Sequence, residues 1–462
     1  MQQVATAGGY STQAAALPEL PRAGVARPSR WNPLLIAICG VILQYVWRIQ
    51  EMFTPLRYVQ FTALVSVGAL VLFVVSPSMM RRLRLLRHPL YRYIVVLFVL
   101  AVLSVPTSVR LGDSIFFLTG NFAKTVLQVG ILVAYVRDRR DIDRLLRVFV
   151  IGGGLYVAAS MAFAPPNGGR LGGGSYDPND LGLFTVCTIP LCIYMMRRSA
   201  RWTERVAGLV TVVLLVTATV LSGSRGGFLA LIAVALYGVL ALRAVRMSKR
   251  LTMTVLACAA LSLVAGNSYW ERISTILKPQ EDYNWQGHAE SGRMEIWKRG
   301  LGYMAQRPLF GVGVDQFDVA EGTLSSLAER QVGLKWSAAH NSYVQIGAEV
   351  GLPALLVFTW MLVSAYIAAR RIGRRAALRD DQLLGQCFAA LVVGYVVGCF
   401  FLSQAYSTYL YFALGFLIVL SRHAVLRTRP RAGSPTTAPT PYGSFGVNHT
   451  APATTLGWPG AR

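Results

Sequence analysis

His340 is the residue of this sequence best placed to act as a catalytic base. It stands between a long polar stretch, residues 268–339, and the apolar segment that follows it. An imidazole has an unperturbed pKa of about 6.5, so it can accept a proton from a substrate hydroxyl near neutral pH. Position alone leaves two interpretations open. His340 is either a general base or an interfacial residue whose ring bonds to a backbone carbonyl.

Four basic residues could bind an anion close to such a base. Arg225 lies in a very short turn between two apolar segments, and Arg293 lies in the first turn of an amphipathic helix predicted over residues 292–306. A positive charge there opposes the helix dipole, which favours an anion nearby. Arg170 belongs to a glycine-rich connector. Lys124 lies two to three turns inside an apolar segment, where an ionisable group normally faces a polar cavity or partner.

Each of these residues also has a plain structural interpretation. The turn around Arg225 needs its glycines for geometry alone, and the arginine side chain could simply extend to the membrane interface. The connector at residues 167–180 could be a flexible linker that ends in Asp-Pro-Asn-Asp, a turn that also caps the next helix. Taken singly, these residues therefore leave both a ligand-binding role and a purely structural role open.

The sequence predicts neither a metal site nor another cofactor. Cysteine and histidine residues show no metal-ligand spacing, and Asp315 and Asp318 are explained as polar loop residues. All six cysteines fall within apolar segments, so no disulfide framework is expected in the polar stretch. The role of His288 stays open, with a surface position favoured.

The elements that must position these residues are membrane helices. Hydrophobic residues make up 54% of the sequence and charged residues 14%, with a mean hydropathy of +0.47. A soluble domain has about 25% charged residues, so this composition predicts an all-α polytopic membrane protein. About twelve spans are predicted, at residues 33–48, 58–77, 91–108, 114–136, 147–164, 181–196, 205–222, 227–244, 251–267, 340–369, 382–402 and 407–425. The longest, from His340, is expected to begin in an interfacial turn near Gly351-Leu352-Pro353, where a kink is expected.

The net charge of +24 indicates a membrane topology and argues against nucleic-acid binding. The arginine clusters fall in alternate connectors, which share one side of the membrane if twelve spans are counted. The positive-inside rule makes that side cytoplasmic and places both termini there. The polar stretch at residues 268–339 then faces outward.

Five regions follow from this topology. A cytoplasmic N-terminal tail covers residues 1–32, nine spans cover 33–267, an outer loop covers 268–339, three spans cover 340–425, and a cytoplasmic tail predicted to be disordered covers 426–462. The outer loop contains many aromatic residues and nearly balanced charges. It is therefore predicted to fold, with helical structure at its centre.

The outward-facing motifs, taken in order, resemble the O-antigen ligase and polymerase superfamily. Each motif is short, and the resemblance is carried by their order, spacing and topology. The motifs are Arg-Leu-Gly-Gly-Gly-Ser-Tyr-Asp-Pro-Asn at 170–179, Ser-Gly-Ser-Arg-Gly-Gly at 222–227, Gly292-Arg293 with Trp297, Pro-Leu-Phe-Gly-Val-Gly at 308–313, His-Asn-Ser-Tyr at 340–343 and Glu-Val-Gly at 349–351.

The resemblance implies a multi-pass glycosyltransferase of the bacterial inner membrane, with GT-C-like architecture and one large periplasmic loop between helices 9 and 10. Members of this superfamily act at the periplasmic face and take a glycan from undecaprenyl diphosphate. The ligase branch passes the glycan to a sugar hydroxyl of the lipid A–core. By motif position, His340 would be the catalytic base, and Arg225 and Arg293 would bind the diphosphate. The resemblance also strengthens Arg170 and Lys124 as further ligands.

The residues suit this chemistry even without the resemblance. No nucleotide-sugar pool exists outside the cytoplasm, so the donor must arrive already activated on a lipid. Paired arginines can neutralise a diphosphate leaving group through bidentate, charge-assisted hydrogen bonds. One base and an in-line displacement then predict a metal-independent, inverting transfer.

Three other functions stay open. Two belong to the same superfamily, an O-antigen polymerase and a protein O-oligosaccharyltransferase, and the third is a polysaccharide or lipid transporter. The ligase is favoured because nothing resembles the extra C-terminal domain common in the protein-glycosylating branch. Transport is disfavoured because the polar outer residues cluster on one face and no internal repeat is evident. The expected partners are the lipid-linked donor, the lipid A–core acceptor and membrane lipids, with no nucleic acid.

Overall fold

The structure is a computed structural model whose described residues are all helical or in connectors, without a β-strand. It describes residues 31–51, 61–76, 79–164, 169–174, 176–243, 245–278, 280, 282, 292–325 and 336–428. Most of both predicted tails, and His288, lie outside these residues.

The α-helices are numbered here in chain order. They are α1 (Pro33–Val41), α2 (Phe61–Val74), α3 (Met79–Leu83), α4 (Pro89–Leu103), α5 (Leu111–Phe117), α6 (Ala123–Tyr135), α7 (Arg139–Phe163), α8 (Pro178–Arg198), α9 (Trp202–Ser222), α10 (Arg225–Ala241), α11 (Met247–Val264), α12 (Asn267–Ser274), α13 (Arg293–Gln306), α14 (Phe317–Thr323), α15 (Ser342–Val350), α16 (Leu352–Arg375), α17 (Arg379–Cys399) and α18 (Thr408–Thr428). Short π-helical turns at Ile42–Val46 and Leu118–Phe122 extend α1 and join α5 to α6.

The predicted helical membrane class is confirmed. By length and composition, seven helical segments of the described chain could cross a membrane: Pro89–Thr107, Leu111–Tyr135, Arg139–Phe163, Pro178–Arg198, Trp202–Ser222, Leu352–Arg375 and Arg379–Cys399. Shorter apolar helices cover Pro33–Val46, Phe61–Val74, Arg225–Ala241 and Thr408–Ala424. Every predicted span contains a helix, whereas the count of twelve crossing segments stays a prediction.

The segment predicted as one long span at residues 340–369 consists of two helices. α15 ends at Val350, and α16 begins at Leu352 after Gly351, whose φ is +95°. Only glycine adopts this backbone conformation without strain, so the sequence breaks the helix here. The kink expected near Gly351-Leu352-Pro353 is confirmed, and the segment long and apolar enough to cross a membrane begins at Leu352.

α8 and α17 are the most enclosed spans of the bundle. α8 packs against α9, α10 and α17, and α17 also packs against α16. The chain reverses direction at each tight connector, so α8 and α10 begin, and α9 and α17 end, at the same end of the bundle. The connectors at this end carry the motifs singled out from the sequence.

Helix caps fix the start of three elements at this end. Asp177 accepts hydrogen bonds from the backbone N–H groups of Asn179 and Asp180, as predicted for Asp-Pro-Asn-Asp, and it starts α8. Ser224 caps α10, and Asn341 caps α15. Side-chain oxygens satisfy N–H groups that a helix leaves without a partner, and each such cap contributes about 1 kcal/mol.

The amphipathic helix predicted over residues 292–306 is confirmed as α13, Arg293–Gln306. Its N-cap is Gly292, and no side chain caps the helix. Ile296, Tyr303 and Met304 lie on its buried face. The helix therefore presents Arg293 at its uncapped, electropositive start, where the helix dipole favours an anion.

Residues 307–316, called the junction segment here, dock on the C-terminal end of α15. The backbone N–H of Val312 donates to the carbonyl of Ala348, and that of Gly313 donates to the carbonyl of Glu349, both at 2.9 Å. The junction segment also contacts the connector before α5, where Val109 N–H donates to the Val312 carbonyl at 3.0 Å. The connector before α5, the junction segment and the end of α15 thus meet through backbone hydrogen bonds. This meeting point is called the backbone crossing here.

Replacing Gly351 with alanine should unfold this crossing. The new β-carbon would overlap the carbonyl of Leu309 and would strain a φ of +95°. We expect Gly351→Ala to lower the midpoint of thermal unfolding by several degrees or to prevent accumulation of the folded protein. Gly302→Ala is the matched control, because a β-carbon there meets nothing within 4 Å and Gly302 lies within helix α13. The control should be neutral or slightly stabilising. Equal melting curves for Gly351→Ala and Gly302→Ala would contradict the requirement for glycine at position 351.

Candidate active site

The motifs predicted to face outward converge at one end of the bundle. The start of α10 packs on the connector after α17, since a β-carbon on Gly226 would lie 2.8 Å from Phe401 Cβ. The glycine-rich connector pairs with the end of α9 through Leu171 N–H and the Leu221 carbonyl, at 2.9 Å. These contacts bring the neighbourhoods of Arg170, Arg225 and His340 to one surface.

His340 adopts an unusual backbone conformation. Its φ is +47°, in the left-handed region that residues other than glycine rarely occupy. Its backbone N–H donates to the Ser403 hydroxyl at 2.8 Å, and the carbonyl of the preceding Ala339 accepts from the Trp297 indole at 2.9 Å. Such a conformation persists only where the surroundings hold it, and it is found often at functional sites. The backbone of the half-buried His340 is therefore held by contacts on both sides.

A chain of hydrogen bonds connects this histidine to the start of α8. Ser342 donates to the Leu402 carbonyl at 2.6 Å and accepts from the Gln404 backbone N–H at 2.8 Å. The Gln404 side-chain amide in turn donates to the Asp180 carboxylate at 2.6 Å. The segment after α17 thus joins the two helices whose N-terminal ends face the site.

The side chains of Arg170, Arg272 and Arg225 gather around the turn between α9 and α10. The guanidinium of Arg170 donates to the Ser222 carbonyl and to the Asn179 side chain, both at 2.7 Å. A β-carbon on Gly223 would lie 3.6 Å from Arg170 Nε and 3.7 Å from Arg272 Nε. Arg170 and Arg272 therefore flank this glycine within van der Waals reach, and its small size leaves room for both.

Arg225 and Arg293 act on the same cluster electrostatically. Burial, together with the positive charges of Arg272, Arg225 and Arg293, lowers the pKa of Arg170 to about 10, whereas Asp177 opposes them. The three neighbouring guanidinium charges outnumber the one carboxylate that acts against them. The cluster therefore has a strong electrostatic preference for an anion.

Two carboxylates partly compensate this charge. Arg225 forms an ion pair with the buried carboxylate of Asp282 and donates to the Thr275 hydroxyl at 3.0 Å. Asp177 lies near Arg170. One of the basic groups thus already holds an acidic partner in the structure, and an incoming anion would have to compete with Asp282.

The five predicted site residues are distributed unevenly. Arg170, Arg225, Arg293 and His340 are brought to one end of the bundle, and each is at least partly buried there. Trp297, one turn after Arg293 in α13, contacts the backbone next to His340 and so ties the two residues together. Lys124 instead lies exposed on α6, just after a π-helical turn, and its assignment stays a prediction.

Sequence reasoning missed two basic residues of this region. Arg272 lies in the last turn of α12, a helix that docks through Tyr269 and Ile273 on α9 residues. Arg48 follows the first helix with a φ of +48°, and its guanidinium carbon lies 5.2 Å from the centre of the Tyr176 ring. No local pattern marks either residue, because Arg272 meets Gly223 and Arg48 meets Tyr176 through contacts between distant segments.

The acidic residues of the loop serve the junction segment. The Glu349 carboxylate accepts from the backbone N–H groups of Asp315 and Phe317, each at 3.2 Å. Burial, together with Asp318 and Asp113, raises the pKa of Asp315 to about 7. Within the described residues no group of three or more acidic, histidine or cysteine side chains is arranged to hold a metal ion. The Glu349 carboxylate of α15 therefore holds the backbone of the junction segment.

Comparison with known proteins gives one family. Residues 210–359 match the family described as O-antigen ligase. The matched stretch runs from α9 into α16 and includes Arg225, Arg272, Arg293 and His340, whereas Arg170 and Lys124 precede it. No curated protein matches the chain.

Proposed function

We propose that this protein, whose residues 210–359 match the family described as O-antigen ligase, is a glycosyltransferase of the ligase branch of that superfamily. It transfers O-antigen polysaccharide from undecaprenyl diphosphate to a sugar hydroxyl of the lipid A–core. The reaction takes place at the periplasmic face of the bacterial inner membrane, and both termini are cytoplasmic. The observation that carries the proposal is the convergence of a fixed histidine and an arginine cluster at one end of a helical membrane bundle.

The arginine cluster suits the diphosphate of a lipid-linked donor. A diphosphate leaves with additional negative charge, and arginines stabilise that charge through paired N–H donors. Arg170, Arg272 and Arg225 meet at the turn between α9 and α10. Their mutual repulsion is relieved most when the bound anion carries its full charge, so the cluster favours the transition state over the ground state. Lys124 stays a weaker candidate ligand because it lies exposed on α6.

His340 suits the role of general base. In the proposed step the acceptor hydroxyl oxygen attacks the anomeric carbon, and its proton passes to the imidazole. The bond between that carbon and the diphosphate oxygen breaks, and the electron pair leaves on the diphosphate. Attack from the face opposite the leaving group inverts the anomeric configuration. A histidine anchored through Ser403 and Trp297 loses little conformational freedom when the acceptor arrives.

Substituting His340 should remove catalysis while leaving binding in place. Because the residue has a positive φ, His340→Ala would combine loss of the base with backbone strain. His340→Asn separates the two effects, since asparagine tolerates this conformation but cannot act as the base. We expect both variants to insert normally and His340→Asn to lower kcat roughly 10²–10⁴-fold. Lipopolysaccharide that still carries normal O-antigen in cells with the asparagine variant would refute the assignment.

Arginines rather than a metal ion should neutralise the leaving group. Arg272→Gln removes one charged donor and should raise KM for the lipid-linked donor about tenfold, from the loss of about 1.5 kcal/mol. Lys298→Gln is the matched control, because it removes the same charge from an exposed position on α13. Transfer by the wild-type enzyme should persist in EDTA. An activity that EDTA abolishes and a divalent cation restores would contradict this proposal.

Deletion of the gene distinguishes the ligase from a polymerase. Loss of a ligase leaves fully polymerised chains on undecaprenyl diphosphate, whereas loss of a polymerase leaves single repeat units. We therefore expect long lipid-linked chains to accumulate and lipopolysaccharide to lack O-antigen, measured by gel analysis of both pools. Complementation with the wild-type gene should restore attachment. Accumulation of single repeats would assign this chain to the polymerase branch instead.

A further inference from the structure

A second basic feature lies at the opposite end of the bundle from the candidate active site. α8 and α10 begin at the site and run away from it, and α17 runs towards it. Where α8 and α10 end and α17 begins, a cleft of about 1020 Å³ opens. It is called the arginine cleft here, and its polar lining consists of Arg197, Arg243, Arg370, Arg374, Arg379, Asp380, Gln382, Gln386 and Tyr237.

The charge of the arginine cleft is strongly positive. Its lining has five arginines and a single carboxylate, and that carboxylate, Asp380, lies 3.0 Å from Arg198. Within the described part of the chain, none of the five arginines forms an ion pair, although Arg370 donates to the Tyr366 hydroxyl at 3.3 Å. The positive-inside rule explains why arginines lie on this side of a membrane. It does not explain their convergence in one cavity.

The depth of the cleft fits the phosphate level of a bilayer. α8 is 21 residues long, which corresponds to about 31 Å of helix, and the hydrocarbon core of a bilayer is about 30 Å thick. An arginine at the end of such a helix, such as Arg197, therefore reaches the plane of lipid phosphates. Basic pockets between transmembrane helices on this side are suited to anionic headgroups.

One side of the cleft continues into an apolar stripe on α10. Leu240 lines the cleft, and Ile232, Leu236 and Leu240 follow one another at four-residue intervals on the exposed face of the helix. Their side chains are 47%, 56% and 66% exposed. A lipid whose phosphate enters the cleft would find a surface for its acyl chain directly along this stripe, whereas a soluble phosphate would leave the stripe uncovered.

We propose that the arginine cleft is a binding site for an anionic phospholipid, with the headgroup phosphate held by Arg243, Arg374 and their neighbours and one acyl chain lying along α10. The site lies at the other end of the bundle from the arginines assigned to the glycan donor. It is therefore independent of the proposed glycosyl transfer, and either assignment can fail without the other.

Native mass spectrometry of the full-length protein tests this site. The purified protein in neutral detergent is titrated with dioleoylphosphatidylglycerol and, separately, with dioleoylphosphatidylcholine. Arg243→Gln/Arg374→Gln removes two charges from the cleft. Arg140→Gln/Arg201→Gln removes two charges from exposed positions at the same end of the bundle, outside the cleft, and is the matched control.

We expect phosphatidylglycerol to bind the wild-type protein and the control with similar affinity. The cleft variant should bind roughly thirtyfold more weakly, from about fivefold for each arginine. Phosphatidylcholine should bind weakly to all three proteins, and excess sodium phosphate should displace little phosphatidylglycerol. Should the double variant not fold, Arg374→Gln alone should show a loss of about fivefold. Equal weakening in the cleft variant and the control, or complete displacement by free phosphate, would overturn the proposal.

Discussion

The docking of the junction segment on α15 is the interaction on which the candidate active site depends. Backbone hydrogen bonds join Val312 and Gly313 to the last carbonyls of α15, at the end of the helix remote from His340. The other end of α15 is held through Ser342, which bonds to the Leu402 carbonyl. A nine-residue helix anchored at both ends leaves the histidine before it little freedom. This explains how His340 can keep a positive φ, a conformation that costs about 1–3 kcal/mol when nothing enforces it.

The fold also has to hold the arginine cluster together against the repulsion among its members. Arginines repel one another, and burial makes the repulsion stronger, as the lowered pKa of Arg170 shows. The fold opposes this cost with short backbone and side-chain contacts, such as that between Arg170 and the Ser222 carbonyl. A bundle that maintains such a cluster gains free energy whenever an anion enters it. The ion pair between Arg225 and Asp282 sets how much of that gain an incoming diphosphate can realise, because the diphosphate must replace or share the carboxylate.

Local signals in the sequence predicted the elements well. The apolar periodicity of α13, the Asp-Pro-Asn-Asp cap of α8 and the break at Gly351 depend on neighbouring residues alone, and the structure has all three. The segment predicted over residues 340–369 consists of two helices, because apolar composition continues through a glycine that ends one helix and starts another.

The site was harder to predict from the sequence, because its geometry arises from contacts between distant segments. Arg272 meets Gly223 across 49 positions of the chain, and no periodicity encodes such a contact. The left-handed backbone of His340 is likewise imposed by Ser403, 63 residues away, and by Trp297, which holds the carbonyl of Ala339. The assignment of Lys124 rests on a local pattern alone and stays a prediction. A charge inside an apolar segment suggests a polar cavity, yet the orientation of α6 leaves this side chain on the exposed surface.

A net charge of +24 by itself says little about which arginines bind ligands. Arg140 and Arg201 lie exposed near helix ends, and the positive-inside rule is sufficient to account for arginines at such positions. An arginine that binds a ligand differs from one that only follows the positive-inside rule in how far the protein encloses it. Arg170 is partly buried beside another guanidinium, where water screens the charge poorly and an anion is favoured. Arg243 and Arg374 stay exposed individually but share a cavity that concentrates their field. Since helices of about membrane length connect these two environments, the bundle that positions the candidate active site also shapes the arginine cleft at its other end.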